Sequence, residues 1–432
     1  MKKYALISLG CPKNLVDSEQ FAGILDQTEY QYTTELETAE IIIINTCGFI
    51  MDAKEESIQT ILDTAELKES AKLQKLVVTG CLVQRYHADL EHELPEIDHL
   101  IDLKDFGKFA EIFQIGSSAE RHLLTPQHYG YLRISDGCNN HCSYCAIPGI
   151  RGALQSVPEA ELLAEAEKMV QQGVRELIVS AQDTAQYGVD IYGEPRLPQL
   201  LRKLHEIPDL QWIRVLYLHP AHVTSEIIDT FAELPKICKY FEIPLQHISD
   251  QILTSMNRHV KQQRILEIFQ EIKAKIPQAV IRTTFIVGYP TESEADFIEL
   301  KNFMAAQRFG RVGIFTYSRE EDTSAYRLTQ NVPEEVAEAR KDELMMMQQK
   351  ISEDFLAGYI GQTIPVIIDK LGEQGEFIYE GRSYFDAPEI DGIVFIESGQ
   401  AEIGKVYQVE IVDAWEYDLI GRINNEHNQE EK

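Results

Sequence analysis

Three cysteines fall within eight residues, in Ile134-Ser135-Asp136-Gly137-Cys138-Asn139-Asn140-His141-Cys142-Ser143-Tyr144-Cys145. Three others, Cys11, Cys47 and Cys81, stand 36 and 34 residues apart. With Cys238 the total is seven, and an odd count in a long chain argues against a disulfide framework. The close triplet has the spacing C-x3-C-x2-C, which can wrap a metal cluster. Four cysteines saturate an iron–sulfur cubane, and three leave one iron with an open position. A zinc ion with His141 as fourth ligand is the alternative for the same loop. Cys238, in Lys236-Ile237-Cys238-Lys239-Tyr240, has no partner nearby and reads as a structural thiol leading into a strand.

The hydrophobic pattern places these cysteines on a scaffold. Residues 1–120 alternate short apolar strands (4–9, 41–45, 75–79) with amphipathic helices (16–27, 52–68), the pattern of a parallel α/β sheet. Ile58, Ile61, Leu62 and Ala65 have the spacing of a core-facing helical stripe. Cys11, Cys47 and Cys81 each follow the carboxyl end of a predicted strand. In a parallel sheet those ends share one edge, so the spacing predicts three converging thiols. We infer a second three-cysteine [4Fe–4S] site there, with buried structural cysteines as the ordinary alternative.

From about 125 to 353 the alternation repeats six times. Strands are predicted at 132–135, 176–180, 213–218, 240–244, 280–287 and 312–317, and helices at 158–172 and 225–233. The long run 251–275 reads as two helices, and a last helix covers 333–359. Six units predict a (β/α)6 partial barrel rather than a full eight-fold one, with the C-x3-C-x2-C loop on the carboxyl edge after the first strand. From 357 to 425 helical periodicity stops. Short β-type runs at 363–368, 377–379, 393–395 and 406–412, punctuated by glycines, predict a small all-β barrel. The polar tail 424–432 is expected to be disordered.

C-x3-C-x2-C after the first barrel strand, with Tyr144 before the third cysteine, resembles the radical S-adenosylmethionine (SAM) superfamily. The resemblance implies an open-iron [4Fe–4S] cluster on Cys138, Cys142 and Cys145 that chelates SAM and cleaves it reductively to a 5′-deoxyadenosyl radical. The doubled cysteine pattern with a terminal β-barrel resembles the radical SAM methylthiotransferases over nearly the full chain. It implies a domain at 1–120 with an auxiliary cluster on Cys11, Cys47 and Cys81, a radical SAM core at 124–353 and a TRAM-like barrel at 356–425. The implied cofactors are two [4Fe–4S] clusters and SAM, with a flavodoxin-type electron donor. Tyr144, Gln182, Glu242, Gln246, Arg282 and Gly288 are the candidate SAM contacts. Packing accounts equally for Tyr144, as internal hydrogen bonding does for the polar residues. Glycine at 288 would let backbone approach the adenine. His219 and His247 read as hydrogen-bonded core or rim residues.

The family divides by substrate. Ser180-Ala181-Gln182-Asp183-Thr184-Ala185-Gln186-Tyr187-Gly188, Tyr217-Leu218-His219-Pro220 and Asp386-Ala387-Pro388-Glu389-Ile390-Asp391-Gly392 resemble the branch that acts on a ribosomal protein. So does Asp413-Ala414-Trp415-Glu416-Tyr417-Asp418-Leu419, read as a closing strand with Trp415 and Tyr417 on one face of an edge. The reaction implied is β-methylthiolation of an aspartate in small-subunit ribosomal protein twelve. A tRNA methylthiotransferase and a non-catalytic iron–sulfur carrier remain the alternatives.

Charge bears on that choice. The chain carries 70 acidic against 40 basic residues, net −30. Residues 356–425 hold thirteen Asp/Glu against four Lys/Arg. Such a surface disfavours a phosphate backbone and suits a basic ribosomal protein, although a merely solvated acidic face gives the same count. No apolar run is long enough for a transmembrane helix, and the start of the chain reads as a strand rather than a signal peptide, so a cytoplasmic protein with no membrane partner is expected.

Overall fold

The computed structural model describes residues 2–116, 120–329, 331–373, 375 and 377–423; the tail predicted to be disordered lies outside them. The chain forms two compact units. The first comprises residues 1–125, 136–154 and 318–327, and the second 126–135, 155–317 and 328–432.

The first unit is built on five parallel strands, β1 (Lys2–Ser8), β2 (Tyr30–Tyr32), β3 (Ile41–Thr46), β4 (Lys75–Gly80) and β5 (His99–Ile101), in the order β2-β1-β3-β4-β5. Every residue of β3 is buried, as an isoleucine run covered on both faces must be. Alternate residues serve opposite faces. Ile42, Ile44, Leu76 and Val78 pack on Ile61, Leu82 and Leu90, while Ile41, Ile43 and Val77 pack on Phe21, Leu25 and Phe109. The strand order reverses between β1 and β3, so their carboxyl ends flank the crevice in which doubly wound sheets bind ligands.

The helix expected at 52–68 is two, Met51–Ala65 and Leu67–Ser70. The expected stripe is also turned away from the core. Ile61 is buried, but Ile58 and Leu62 are 37% and 38% exposed, and Lys54, Ser57 and Thr64 face inward instead. Polar contacts set this rotation. Ser57 Oγ accepts from the Cys47 N–H and donates to the Cys47 carbonyl, and Lys54 pairs with Glu320 at 2.9 Å.

The second unit contains six parallel strands in two sheets. Trp212–Val215, Glu176–Ser180 and Tyr129–Arg133 form one, and Tyr240–Glu242, Val280–Val287 and Arg311–Thr316 the other. A parallel bridge between Ile213 and Ile237 and the Leu218 N–H to Glu242 O bond connect them. Helices such as Glu159–Gln171, Ser225–Glu233 and Glu294–Gln307 lie between the strands, and the run 251–275 divides into Asp250–Ser255 and Gln262–Lys275. Cys238 is buried, and burial pushes its thiol up to about 12, as for an inert core thiol.

After helix Glu334–Ala357, five strands close a barrel in the order Thr363–Leu371, Tyr379–Ser383, Val394–Ser398, Leu419–Ile423, Val406–Ala414. Closure leaves no edge strand. Trp415 and Tyr417, expected on one, sit instead in the turn before the final strand, where the Trp415 N–H donates to the Asp418 carbonyl. Trp415 packs on Phe377 and Phe395, with ring centroids 6.0 and 5.4 Å away.

Buried ion pairs fix this barrel to the β/α layer within the unit. Glu176 lies between Arg214 and Arg382, 2.7 Å from each. Arg311 pairs with Asp386, and Asp391 accepts from Arg282 and from the Tyr240 hydroxyl. The string 386–392 is therefore a docking loop.

Candidate functional site

The first cysteine triplet lies on the carboxyl edge of the five-stranded sheet. Cys11 precedes helix Pro12–Leu25 after β1, Cys47 follows β3, and Cys81 opens helix Cys81–Glu93 directly after β4. All three thiols are free. Two glycines let these loops close on one another. Gly10 has φ +85°, and a Cβ there would stand 2.8 Å from Cys47 Cβ and 2.9 Å from its Sγ; a Cβ on Gly48 would meet the Leu82 and Cys81 backbone at 2.7–2.8 Å.

Asn14 holds the loops together. Its Nδ2 donates to the carbonyls of Leu9 at 2.9 Å and Thr46 at 3.0 Å, and its Oδ1 accepts from the Cys81 thiol at 3.5 Å. Asn45 Nδ2 in turn donates to the Asn14 carbonyl at 2.7 Å. Burial pushes the Cys81 thiol up to about 12 and also raises Cys47, against the lowering field of Arg151. Such thiols become thiolates by binding a cation.

The second triplet belongs to the same unit. Gly137 (φ +74°) turns the chain beside Ala153, and the Cys138 N–H donates to the Gly152 carbonyl at 3.1 Å. The loop is pinned further by Cys145 N–H to Cys142 O and by Ala325 N–H to Ser143 O, 3.0 and 2.8 Å. The Asn140 N–H points to Cys138 Sγ at 3.5 Å. Cys142, Cys145 and the exposed His141 line a cavity of about 250 Å³ with Gln84, Arg85 and Thr323. Helix Ile147–Arg151 follows, and its Ala146 and Ile150 side pack on Cys81. The structure thus brings the two triplets into one compact unit, with Cys81 packed on Ala146 and Ile150 just after Cys145. Tyr144 is half-buried in the same loop.

Each triplet offers three free thiols, a donor set that would suit a polynuclear cluster with one open iron. Tetrahedral zinc with Zn–S near 2.3 Å needs ligand atoms about 3.8 Å apart. Among the described residues, one triad of His, Cys, Asp or Glu has all its ligand atoms within 4.8 Å of one another, and it contains no cysteine. That group includes none of Cys138, His141, Cys142 and Cys145, whose wider spacing is compatible with the more widely spread thiolates of a cubane.

That triad is Asp183, His219 and His222, beyond the carboxyl ends of two strands in the second unit. His222 Nδ1 lies 2.7 Å from Asp183 Oδ2, and the Ala221 N–H donates to His219 Nδ1 at 3.2 Å. Burial, helped by Arg258 and His222, lowers the His219 pKa, so the ring is neutral with its proton on Nε2. It reads as a hydrogen-bonded network. His247 likewise accepts the Ser249 N–H at 3.0 Å.

The remaining candidate SAM residues are in the second unit and do not form one cluster. Gln182 sits two residues past strand Glu176–Ser180. Gln246 has φ +73°, and its buried Oε1 has no hydrogen-bond partner among the described residues. Glu242 and Arg282 are committed to each other at 2.9 Å. Glu242 also accepts the Tyr217 N–H, and Arg282 also holds Asp391. Arg282 is six residues before Gly288, about 20 Å along an extended strand. It lines a separate cavity of about 200 Å³ with Gly310, Gly392 and Tyr417. Gly288 has its own requirement for glycine, because at φ +74° a Cβ would stand 2.4 Å from Ala337 Cβ. The sequence did not mark Asn14, Asp17, Asp136 or Arg151, which are widely separated and carry no motif spacing.

Residues 3–102 match uncharacterized protein family UPF0004, residues 132–304 the radical SAM superfamily and residues 360–423 the TRAM domain. The chain is 44% identical to the ribosomal protein uS12 methylthiotransferase RimO of Clostridioides difficile (strain 630), over 98% of this chain and 99% of that one. It is 45% identical to the RimO of Bacteroides fragilis, again over 98% and 99%. Its fold resembles the radical SAM methyltransferase TsrM of Kitasatospora setae (TM-score 0.54, 12% identity, 75% of this chain and 77% of that one). It also resembles the cobalamin-dependent radical enzyme OxsB (TM-score 0.51, 9% identity, 81% and 56%). With such relatives matched end to end, the chain belongs to the RimO family of radical SAM methylthiotransferases.

Proposed function

We propose that the chain places a methylthio group on the β-carbon of an aspartate in ribosomal protein uS12. In this reading Cys138, Cys142 and Cys145 hold one [4Fe–4S] cluster that binds SAM, and Cys11, Cys47 and Cys81 hold a second. Residues 1–120, 124–353 and 356–425 would be the auxiliary-cluster domain, radical SAM core and TRAM barrel. The observation that carries it is the packing of Cys81 on Ala146 and Ile150, beside the second triplet, in one compact unit. When bound, the two clusters and SAM supply an electron, a hydrogen-abstracting radical and an iron site able to carry sulfur.

The chain's own residues bind and position. Gly10 and Gly48 allow close approach of the three loops, and Asn14 sets their register. Hydrogen abstraction from carbon depends on proximity rather than proton transfer, so no side chain is assigned as acid or base. Tyr144, Gln182 and Gln246 are the better candidates for SAM contacts, with Gln246 supported by its unpaired buried oxygen. Gly288 is consistent with a contact, while Glu242 and Arg282 act through the ion pairs that hold the docking loop.

The partner is a basic protein, met by the acidic terminal barrel. Asp369, Asp386 and Asp391 are consumed by Arg382, Arg311 and Arg282, so the face available to a partner rests on exposed groups such as Glu389, Glu402, Asp413 and Glu416. By family resemblance the electron comes from a flavodoxin-type donor, and a ribosomal substrate places the enzyme in the cytoplasm. The test is the mass of the uS12 aspartate peptide from cells with and without the gene. Loss of one methylthio group without the gene is expected. An unchanged uS12 peptide with a methylthio group missing from tRNA would overturn the reading.

A further inference from the structure

We propose that Arg151 is a positioning residue for the centre on Cys11, Cys47 and Cys81, placing a buried guanidinium beside it from the helix that follows the other triplet. The inference rests on the reading of those cysteines as cluster ligands.

Arg151 ends helix Ile147–Arg151, six residues after Cys145, and its side chain is 1% exposed. Nη2 donates to Asn14 Oδ1 at 2.6 Å and Asp17 Oδ2 at 2.9 Å, while Nη1 donates to Asp136 Oδ2 at 3.0 Å. Lys104 also pairs with Asp136. The guanidinium thereby spans helix Pro12–Leu25, which follows Cys11, and the segment leading into Cys138.

Two consequences follow for the first triplet. The bond to Asn14 Oδ1 fixes which way that amide points, and so aims Nδ2 at the carbonyls of Leu9 and Thr46. Those carbonyls lie just before Cys11 and Cys47, so the fork of Arg151 sets two ligand loops through one asparagine. The second consequence is electrostatic. Asp17 and Asp136 answer Arg151 and Lys104, leaving this group of four near neutral before any ligand ionises. Three thiolates on a [4Fe–4S] core give a net negative centre that gains one more negative charge on reduction. A buried cation beside it favours the reduced state, and the potential of such clusters follows local charge and hydrogen bonding.

The experiment uses the full chain with Cys138, Cys142 and Cys145 replaced by Ala, reconstituted anaerobically so that only the first triplet can load. Four irons in this parent establish the site; their absence sinks the reading of the triplet itself, separately from the role of Arg151. Reduction is then followed by spectroscopic redox titration for the parent, Arg151→Gln and Arg151→Lys. Arg151→Gln is expected to disfavour reduction about tenfold, a shift of about 59 mV to more negative potential for one electron. Arg151→Lys keeps the charge and is expected within threefold of the parent. Should Arg151→Gln fail to load iron while Arg151→Lys loads it, the charge requirement is again supported. Unchanged potentials in Arg151→Gln, equal shifts in both variants, or loss of iron in both would overturn the proposal.

Discussion

Gly10→Ala tests whether the Cys11 and Cys47 loops of the first triplet are as close as the structure has them. At φ +85° an alanine enters the left-handed region, at a cost of about 1–2 kcal/mol. Its methyl would stand 2.8 Å from Cys47 Cβ and 2.9 Å from the sulfur. Contact distances for such atoms begin near 3.5 Å, so Cys47 must retreat by roughly 0.7 Å. Overpacking of this kind adds about 1–3 kcal/mol, giving a total of about 2–5 kcal/mol. For a unit of this size the thermal midpoint should fall by on the order of 10 °C. Because the displaced atom is a proposed ligand, anaerobic reconstitution should also deliver about half the iron of the parent, the other triplet loading normally. Gly107→Ala is the control. A Cβ there meets nothing closer than Asp105 Oδ1 at 3.6 Å, and stability should stay within about 1 kcal/mol. Differential scanning calorimetry and iron analysis read both variants. A Gly10→Ala protein with its midpoint within 2 °C of the parent and full iron would refute the close approach.

Glu176→Gln leaves Arg214 and Arg382 facing each other without their shared carboxylate, which is fully buried, and should cost about 3–5 kcal/mol in urea unfolding. His247 supplies a pH dependence. Burial holds its pKa near 4 whereas an unfolded histidine titrates near 6.5, so the unfolded chain binds more protons between those values. Stability should therefore fall as the pH drops from 6.5 to 4, by on the order of 3 kcal/mol, and His247→Asn should flatten that limb of the stability–pH curve. Replacing exposed Glu389, Asp413 and Glu416 by Lys should slow association with the basic uS12 about tenfold at low salt and little at high salt, as read by stopped-flow binding; equal effects at both salts would argue against electrostatic docking.

What the sequence revealed, and what it did not, follows from the range of the forces involved. Strands Glu176–Ser180 and Val280–Val287 and helix Ser225–Glu233 were readable to the residue. Their apolar runs are bounded by strong local signals such as the Thr224 side chain accepting the Ile227 N–H. The three-residue strands Tyr30–Tyr32 and His99–Ile101 carry too little pattern to announce themselves. Helix Met51–Ala65 was readable as a helix, but its face was not, because Ser57 and Lys54 find partners at Cys47 and Glu320 that no periodicity describes. The turn at Trp415 failed for a similar reason: alternation over three residues fits a strand and a hairpin equally.

The six clustered cysteines were visible because each stands at the end of a strand or within a short motif. The residues that organise them, Asn14, Asp17, Asp136 and Arg151, act through contacts spanning up to 137 positions and were silent in the sequence. Glu242 and Arg282 invert the case. Charged residues inside apolar strands must have partners, and theirs turn out to be each other and the docking loop at Asp391.

The most direct test of the account counts iron and inorganic sulfide in the anaerobically reconstituted chain, in a variant with Cys11, Cys47 and Cys81 replaced by Ala, and in one with Cys138, Cys142 and Cys145 replaced. Two independent cubanes predict about eight irons in the parent and about four in each variant. About four irons in the parent, unchanged when Cys11, Cys47 and Cys81 are removed, would contradict it.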